Sequence, residues 1–260
     1  MIDNADSSWE LRSPRATLQC GPWKAIVDLS TPERGVHGIV GPKGDSIEGE
    51  LLGLDLAHCS ANEGSSQNAW RLADLFIRGD EMVGVFEDAG PASLRLTASW
   101  RVISQAANTE QAFAVELLLS LATDELGVRA GLPVESRLTG WSTVHRLGME
   151  GTPRPALNRG EPEAELLPDD GPLAVLVEGD QGQPALAQMV HPAASCRLLL
   201  SPTEDDQGLG LRYGLFDWTF EKGVTLRARL RGILLPNGAD TAVADAWYED
   251  LLVQPPTLSI

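Results

Sequence analysis

The stretch from Leu209 to Leu235 constrains the fold of this chain more than any other, because apolar and polar residues alternate along it on both sides of one turn. A three-residue loop at Glu221-Lys222-Gly223, with Gly223 in the left-handed conformation, predicts an antiparallel hairpin that sets Trp218 opposite Leu226. A two-residue loop would instead mix aromatic and charged residues on both faces. We therefore predict the register of the three-residue loop.

The two faces of the predicted hairpin differ in chemistry. The apolar face is predicted to join the core and consists of Phe216, Trp218, Phe220, Val224, Leu226, Ala228 and Leu230. The polar face consists of Asp217, Thr219, Thr225, Arg227, Arg229 and Arg231. Side chains two residues apart on a strand are about 7 Å apart, so the three arginines form a row, and Asp217 faces Arg227.

We interpret this polar face as a candidate substrate-binding surface made of Asp217, Arg227, Arg229 and Arg231. Guanidinium groups bind carboxylates and hydroxyls in a defined geometry, which suits an acidic or a neutral sugar. The alternative is a solvated outer face on which acidic neighbours neutralise the arginines.

Composition favours an all-β fold, and the length allows one large domain or two ordinary ones, of which we predict a single domain covering residues 1–260. The 260 residues include 26 glycines and 17 prolines, which suits many short strands joined by turns. We predict two large packed antiparallel sheets with one short C-terminal helix. The helix is predicted from an apolar stripe at Val243, Trp247 and Leu251. Asp240 is its predicted N-cap, and Pro255-Pro256 is its predicted stop.

The formal net charge of −17 argues against nucleic acid and anionic membranes as partners, because such a surface repels phosphate groups. No run approaches the ~20 apolar residues of a membrane helix and no secretory signal is visible, so we expect a cytoplasmic protein. The cysteines Cys20, Cys59 and Cys196 match neither a disulfide framework nor a metal motif. We expect them to be small buried apolar residues, and we expect no metal and no cofactor.

Three other regions carry specific expectations. Trp70–Ile77 and Met82–Glu87 predict a hairpin around Arg78-Gly79-Asp80. Phe113–Leu121 fits a buried strand or a buried helix turn, and the surrounding strand patterns favour a strand. Glu150–Gly171 has no periodicity and is interpreted as a mobile flap or a crossover between sheets.

The segment Leu138–Leu147 alternates as a strand and would place Trp141 and His145 on one face. An exposed indole beside an imidazole can hold a sugar ring, so Trp141 is a candidate substrate-binding residue. Tryptophan is more often part of the core, which is the alternative interpretation. His37 and His191 lack a second histidine at metal-ligand spacing.

Several short motifs resemble those of a family of uncharacterised bacterial proteins of about this length. They are Leu215-Phe216, Phe220–Val224, Leu226–Gly232, Leu235-Pro236, Asp240, Ile77–Asp80, Val83, Glu87 and Ser99-Trp100-Arg101. The resemblance implies the supersandwich fold of galactose mutarotases, which is also found in C-terminal domains of several polysaccharide lyases. In mutarotases a histidine acts as general acid and a glutamate as general base. By order along the chain, the resemblance points to His145 and Glu221 as the catalytic pair.

Two functions follow from these observations. The first is a protein that binds a carbohydrate or acts on a sugar, with mutarotase-like acid–base chemistry if it is an enzyme. The second is a non-catalytic interaction or structural β-sandwich, of unassigned oligomeric state. A carbohydrate site needs a concave pocket with aromatic and convergent polar groups, whereas an interaction module needs a flat apolar patch or a paired edge strand.

Overall fold

The computed structural model describes residues 7–59, 70–90, 92–103, 112–149, 155–180, 183–194, 196–203, 207–235 and 241–254. Strands dominate these ranges, and a single α-helix, α1 (Thr241–Val253), closes them. The strands are β1 (Ser7–Arg12), β2 (Arg15–Cys20), β3 (Trp23–Asp28), β4 (Val36–Val40), β5 (Ser46–Ile47), β6 (Gly49–Leu54), β7 (Trp70–Arg78), β8 (Glu81–Asp88), β9 (Leu94–Val102), β10 (Phe113–Thr123), β11 (Val128–Thr139), β12 (Trp141–Arg146), β13 (Pro155–Asn158), β14 (Ala164–Leu166), β15 (Ala174–Gly179), β16 (Ala185–Val190), β17 (Cys196–Pro202), β18 (Gly208–Phe220) and β19 (Thr225–Leu235).

These strands form two antiparallel sheets, as the sequence predicts. The ten-stranded sheet has the order β1-β2-β3-β4-β6-β11-β18-β17-β14, with β5 paired to β4. The nine-stranded sheet has the order β13-β12-β15-β16-β19-β10-β9-β8-β7. The predicted hairpin of β7 and β8 and the predicted strand at β10 are both confirmed.

The main core lies between the two sheets. Its side chains come from alternate positions of facing strands, such as Leu211 and Tyr213 on β18 and Ala228 and Leu230 on β19, all of which are buried. Because side chains alternate across a strand, the residues between them point to the outer faces of the sheets. Those two outer faces therefore carry the polar residues from which a site can be built.

The predicted hairpin between β18 and β19 is wrong. β18 pairs with β11 and β17 in the ten-stranded sheet, whereas β19 pairs with β10 and β16 in the nine-stranded sheet. The turn at 221–224 is therefore a crossover from one sheet to the other. The alternation of each strand specifies its buried face but not its partner, so the two strands join different sheets and their buried faces meet in one core.

The predicted faces hold for β19 and fail for the end of β18. Ala228 and Leu230 lie in the core, as predicted. At Phe216 the backbone takes a φ of 61°, and the pairing with β11 gains an extra residue there, which is a β-bulge. Because of the bulge, Phe216 and the preceding Leu215 are both buried in the core. Beyond the bulge, Trp218 is 56% exposed, and Val224 in the turn is also exposed.

The predicted strand over Leu138–Leu147 is two strands. Gly140, with a φ of 72°, separates β11 from β12, and a bulge between Trp141 and Val144 shifts the alternation. Trp141 and Val144 both face the main core. His145 lies opposite Leu176 and faces the other way, so the predicted shared face of Trp141 and His145 is wrong.

The aperiodic segment is a crossover in its described part. β13 belongs to the nine-stranded sheet and β14 to the ten-stranded sheet, so the chain passes between the sheets there. Residues 150–154 of the segment lie outside the described residues.

The predicted C-terminal helix is confirmed. Helix α1 packs on the outer face of the nine-stranded sheet, where Trp247, Tyr248 and Leu251 join a second core with Ile233 and other sheet residues. The predicted N-cap at Asp240 and the predicted stop at Pro255-Pro256 lie outside the described residues. Within the described part of the chain, no helix has the length and apolar character needed to cross a membrane.

Candidate functional site

An open groove of about 610 Å³ lies on the outer face of the ten-stranded sheet. It crosses four neighbouring strands, β6, β11, β18 and β17. Its lining residues are Glu48, Gly49, Glu50, Glu135, Arg137, Leu138, Thr139, Leu199, Ser201, Thr203, Gly208, Leu209, Gly210, Leu211 and Arg212. We call this feature the groove.

The groove exists because glycines occupy outward positions of β18. Leu209 and Leu211 point into the core, so Gly208 and Gly210 lie on the outer face. Gly210 pairs with Arg137 on one side and Ser201 on the other. A Cβ at position 210 would approach only the Ser201 carbonyl oxygen, at 3.5 Å, so the space above Gly210 is open. Small residues in the central strand thus leave a trough between longer side chains.

A row of alternating charges crosses this trough. Glu135 bonds to Arg212 through Oε1 and accepts from Arg137 Nη2 at 2.7 Å through Oε2. Arg212 Nη2 is 3.0 Å from Asp55 Oδ2, and Arg137 Nη1 is 3.7 Å from Glu50 Oε2. The row thereby runs from Asp55 through Arg212, Glu135 and Arg137 to Glu50.

Both ends of the row are extended by further pairs. Arg34 Nε donates to Glu50 Oε1 at 2.6 Å, and His58 Nδ1 lies 2.7 Å from Asp55 Oδ2. Ion pairing holds the guanidinium planes and the carboxylates in place without using all of their hydrogen-bonding capacity. Each oxygen of Glu50 and Glu135 has a single guanidinium partner, so lone pairs remain on them for a ligand in the groove. Arg137 and Arg212 likewise keep N–H groups for such a ligand.

Trp141 contacts the strand at the end of the groove from the core side of the sheet. Its buried indole Nε1 donates to the Gly208 carbonyl oxygen at 3.0 Å. Gly208 N donates to Thr203 Oγ1 at 2.8 Å, and Thr203 N donates to Gly208 O at 2.9 Å, which closes the β17–β18 connection. Trp141 is fully buried, so its contribution is to position the groove strand and not to contact a ligand.

The predicted arginine row is real, but its three members have different surroundings. Arg231 is completely buried on the outer face of the nine-stranded sheet, where α1 covers it. Its Nη2 donates to Glu116 Oε2 at 3.1 Å, and its Nη1 donates to Asp250 Oδ2 at 2.8 Å. Its guanidinium also lies over the Trp247 ring, 5.7 Å from the centroid. Arg231 therefore joins the helix to the sheet.

Arg229 and Arg227 lie further out on the same face. Arg229 Nη1 donates to Gln254 Oε1 at 2.9 Å, and its Nε is 3.7 Å from Glu116 Oε1. Arg227 makes no ion pair or side-chain hydrogen bond in the described part of the chain. The predicted contact between Asp217 and Arg227 is wrong, because Asp217 lies on the other sheet and pairs with Arg129 at 2.9 Å.

The structure does not bring His145 and Glu221 together. Glu221 is exposed in the crossover turn. His145 aligns across the sheet with Ile233, and the Thr225 end of β19 lies about 26 Å along the strand from that point. His145 Nε2 is instead 3.1 Å from Glu178 Oε1, at an angle that does not form a hydrogen bond.

The architecture can be matched to solved structures. A galactose mutarotase related enzyme from Lactobacillus acidophilus has a TM-score of 0.51 to this chain at 5% identity, over 90% of this chain and 98% of that one. The chain has a galactose mutarotase-like fold. A protein from Klebsiella pneumoniae subsp. pneumoniae MGH 78578, described as a candidate aldose 1-epimerase, has a TM-score of 0.49 at 9% identity, over 95% of this chain and 87% of that one. Protein-family models and curated protein sequences give no match.

The sequence analysis of this mutarotase-like chain did not predict the groove residues as site residues, although one pattern in the sequence indicates them. The run Gly208-Leu209-Gly210-Leu211 alternates glycine with leucine, which indicates a strand with one buried face and one face without side chains. Of the two partners of that strand, β17 directly precedes it, but β11 comes from a distant part of the sequence. Glu135 and Glu50, for example, reach the groove only through sheet pairing.

Cys59 and Cys196 are buried, as predicted, whereas Cys20 is only partly buried, so the prediction is wrong for Cys20. Burial raises the pKa of the Cys59 and Cys196 thiols to about 12. Both are neutral near pH 7 and are poor nucleophiles. Among the described residues, no three His, Cys, Asp or Glu side chains converge as a metal site.

Proposed function

We propose that this protein binds a neutral carbohydrate in the groove on the outer face of the ten-stranded sheet. The observation that carries the proposal is the row of paired carboxylates and guanidiniums above a glycine floor. Sugar hydroxyls both donate and accept hydrogen bonds, so a surface that alternates acceptors with donors suits them. The outward-facing, half-buried Leu199 of the lining supplies apolar surface for the C–H face of a ring.

Charge favours a neutral ligand over an anionic one. The groove is lined by the carboxylates of Glu48, Glu50 and Glu135 and by the guanidiniums of Arg137 and Arg212, an excess of one negative charge. An anionic ligand would meet that excess in addition to the overall charge of −17. A neutral sugar meets no such repulsion and can use both partners of each ion pair.

Binding is better supported than catalysis. General acid catalysis near neutral pH uses a group that titrates there, most often histidine, and no histidine is among the residues that line the groove. His145 and Glu178 lie on the other sheet. The fold is shared with a galactose mutarotase related enzyme, which supports a sugar-related role without supplying a catalytic pair.

The direct test fills the groove. We expect Gly210→Leu to fold, because a Cβ at this position meets only ordinary contacts, and to lose sugar binding, because the added side chain occupies the trough. Thr17→Leu is the matched control, since Thr17 is an exposed position of β2 on the same sheet and outside the groove. Titration of a panel of neutral mono- and oligosaccharides by calorimetry measures the binding.

The proposal predicts that at least one neutral sugar binds the wild type and Thr17→Leu alike and fails to bind Gly210→Leu. Binding that survives unchanged in Gly210→Leu would place the sugar elsewhere. If no sugar of the panel binds the wild type, the proposal is wrong. Circular dichroism of each variant establishes that it is folded.

A specific surface favours protein interaction as the second candidate function. Trp218 is 56% exposed, and the neighbouring turns carry exposed Leu126 and Val224. The two turns are joined by Gly223 N donating to Thr123 O, which brings their exposed apolar residues to the same region of the surface. If a second copy binds there, light scattering will show a concentration-dependent dimer that Trp218→Ser abolishes. A monomer at all concentrations argues against this function.

A further inference from the structure

The outer face of the nine-stranded sheet carries more positive than negative charge beside α1, in a protein that is otherwise strongly acidic. Arg101, Arg227, Arg229 and Arg231 lie there on β9 and β19. Within the described ranges, the carboxylates of Glu116 and Asp250 are the ones that bond to members of this group at 3.1 Å or less. Glu81, at 4.0 Å from Arg101, is already paired with Arg78 at 2.6 Å.

One carboxylate serves three of these arginines. Glu116 is fully buried, and it contacts Arg101 at 2.5 Å, Arg231 at 3.1 Å and Arg229 at 3.7 Å. In the described structure, Asp250 forms an ion pair with Arg231 and with no other arginine of this group. Among the residues that the structure describes, Arg227 and Arg229 are the members of this group of four that have no carboxylate of their own.

Arg227 is the clearest case of an unmet charge. Its Nε is buried without a hydrogen-bond partner, and no acidic residue pairs with its guanidinium in the described structure. Burying the Nε–H group without an acceptor is unfavourable, because its lost hydration is not replaced. The position is consistent with an acceptor that comes from outside the protein.

Two hydroxyl side chains lie on the strands to one side of this arginine. Ser120 on β10 lies directly opposite Arg227, and Thr97 on β9 lies opposite Ser120. Their neighbours in sequence face the core, so both hydroxyls are on the outer face. Directly paired residues of neighbouring strands are about 5 Å apart, so Ser120 is next to Arg227, and Thr97 is about 10 Å from it across the sheet.

Arg229 is the second arginine on this part of the outer face. It lies two residues from Arg227 on the same face, and its hydrogen-bond partner is the neutral amide of Gln254. Burial lowers the pKa of Arg229, and the nearby charges of Arg101 and Arg231 lower it further, against the opposing effect of Glu116. An added negative charge beside Arg229 would relieve that repulsion.

We infer that Arg227 and Arg229, with Ser120 and Thr97, form a binding site for a tetrahedral oxyanion, a phosphate or sulfate group. We call these four residues the arginine shelf. Guanidinium forks and hydroxyl donors are the groups that bind such oxyanions, and two arginines supply the charge. The shelf lies on the opposite outer face from the groove, so its occupant is independent of the sugar proposed there.

The test uses inorganic phosphate at low millimolar concentration, measured by calorimetry against chloride at matched ionic strength, because high phosphate stabilises proteins without binding them. We expect phosphate to bind the wild type, and Arg227→Gln to weaken it at least about tenfold through loss of a charge-assisted hydrogen bond. Arg227→Gln should keep the wild-type melting temperature, since Arg227 has no ion-pair partner to lose. Arg12→Gln, an exposed arginine of β1, is the control and should bind phosphate as the wild type does.

Two further arms identify the source of the phosphate group. If glucose 6-phosphate binds more tightly than inorganic phosphate, and Arg227→Gln weakens both, the site takes a phosphorylated ligand. If both bind equally with the same dependence on Arg227, the site takes the free anion. Absence of phosphate binding to the wild type, or equal binding by wild type and Arg227→Gln, overturns the inference.

Discussion

At the scale of single residues, the Glu116 carboxylate holds together the outer face of the nine-stranded sheet. It is fully buried and contacts Arg101, Arg229 and Arg231. Removing one member of a buried ion pair leaves an uncompensated buried charge, which typically destabilises a protein by about 3–5 kcal/mol. The neutral variant Glu116→Gln isolates this effect with little change of shape.

We predict that Glu116→Gln lowers the free energy of unfolding by about 3 kcal/mol or more in urea denaturation, mainly because Arg231 stays buried. Glu10→Gln, which removes an exposed pair with Arg12, is the control and should change stability little. A loss below about 1 kcal/mol for Glu116→Gln would mean that the arginines do not depend on this carboxylate.

His191 gives a pH dependence whose sign can be stated. Burial lowers the pKa of His191 from 6.5, and the charge of Arg229 adds to the effect, while Gln254 and Glu116 oppose it. The unfolded chain therefore binds a proton more readily than the folded chain just below pH 6.5. Stability falls as pH decreases through that range and is unaffected by this group above it.

We predict that His191→Gln has a smaller loss of unfolding free energy between pH 7 and pH 5 than the wild type, as measured by denaturation at each pH. The difference should vanish above neutrality, where the imidazole is uncharged in both states. Parallel stability curves for the two proteins across the whole range would rule out the assignment.

Residue faces were predictable where the strand alternation is regular. The outward row of Arg227, Arg229 and Arg231 follows from the period of two, and the structure confirms it. The burial of Arg231 was not predictable, because it depends on Glu116, 115 positions away in the sequence. The face of His145 was missed because a single bulge after Trp141 reverses the alternation.

At the scale of elements, helix α1 is an amphipathic cover for the arginine-bearing sheet. Trp247 is almost completely buried against the sheet and lies over the Arg231 guanidinium. Leu251 and Ala244 on the same face are fully buried. The helix therefore contributes stability through packing as well as through the Asp250–Arg231 ion pair.

We predict that Trp247→Ala lowers the free energy of unfolding by about 3–5 kcal/mol in chemical denaturation, the range for a large aromatic residue removed from a core. Val253→Ala on the same helix is the matched control, because Val253 is 81% exposed, and its effect should stay within about 0.5 kcal/mol. Similar effects of the two substitutions would show that the helix does not dock on the sheet.

The crossover between β18 and β19 shows what local patterns leave open. Two alternating strands joined by a short glycine turn satisfy the rules for a hairpin. They equally satisfy a crossover in which each strand joins a different sheet and both apolar faces meet in the core. The choice depends on β11, β17, β10 and β16, which offer each strand two partners of its own.

At the scale of the whole molecule, the two packed sheets leave two outer faces of opposite character. The groove has an excess of negative charge, whereas the arginine shelf has an excess of positive charge. The all-β architecture was predictable from turn-forming residues and recurring strand patterns. The groove was not, since β6 and β11 are far in the sequence from the consecutive strands β17 and β18.

The most direct test of the account is a ¹H–¹⁵N correlation spectrum recorded while a binding neutral sugar from the panel is titrated. The account predicts that the amide shifts concentrate in β11, β17 and β18 around Glu135–Thr139, Leu199–Ser201 and Gly208–Arg212, which line the groove. Shifts concentrated around Arg227–Arg231 or around His145 and Glu178, with the groove amides unmoved, would contradict it.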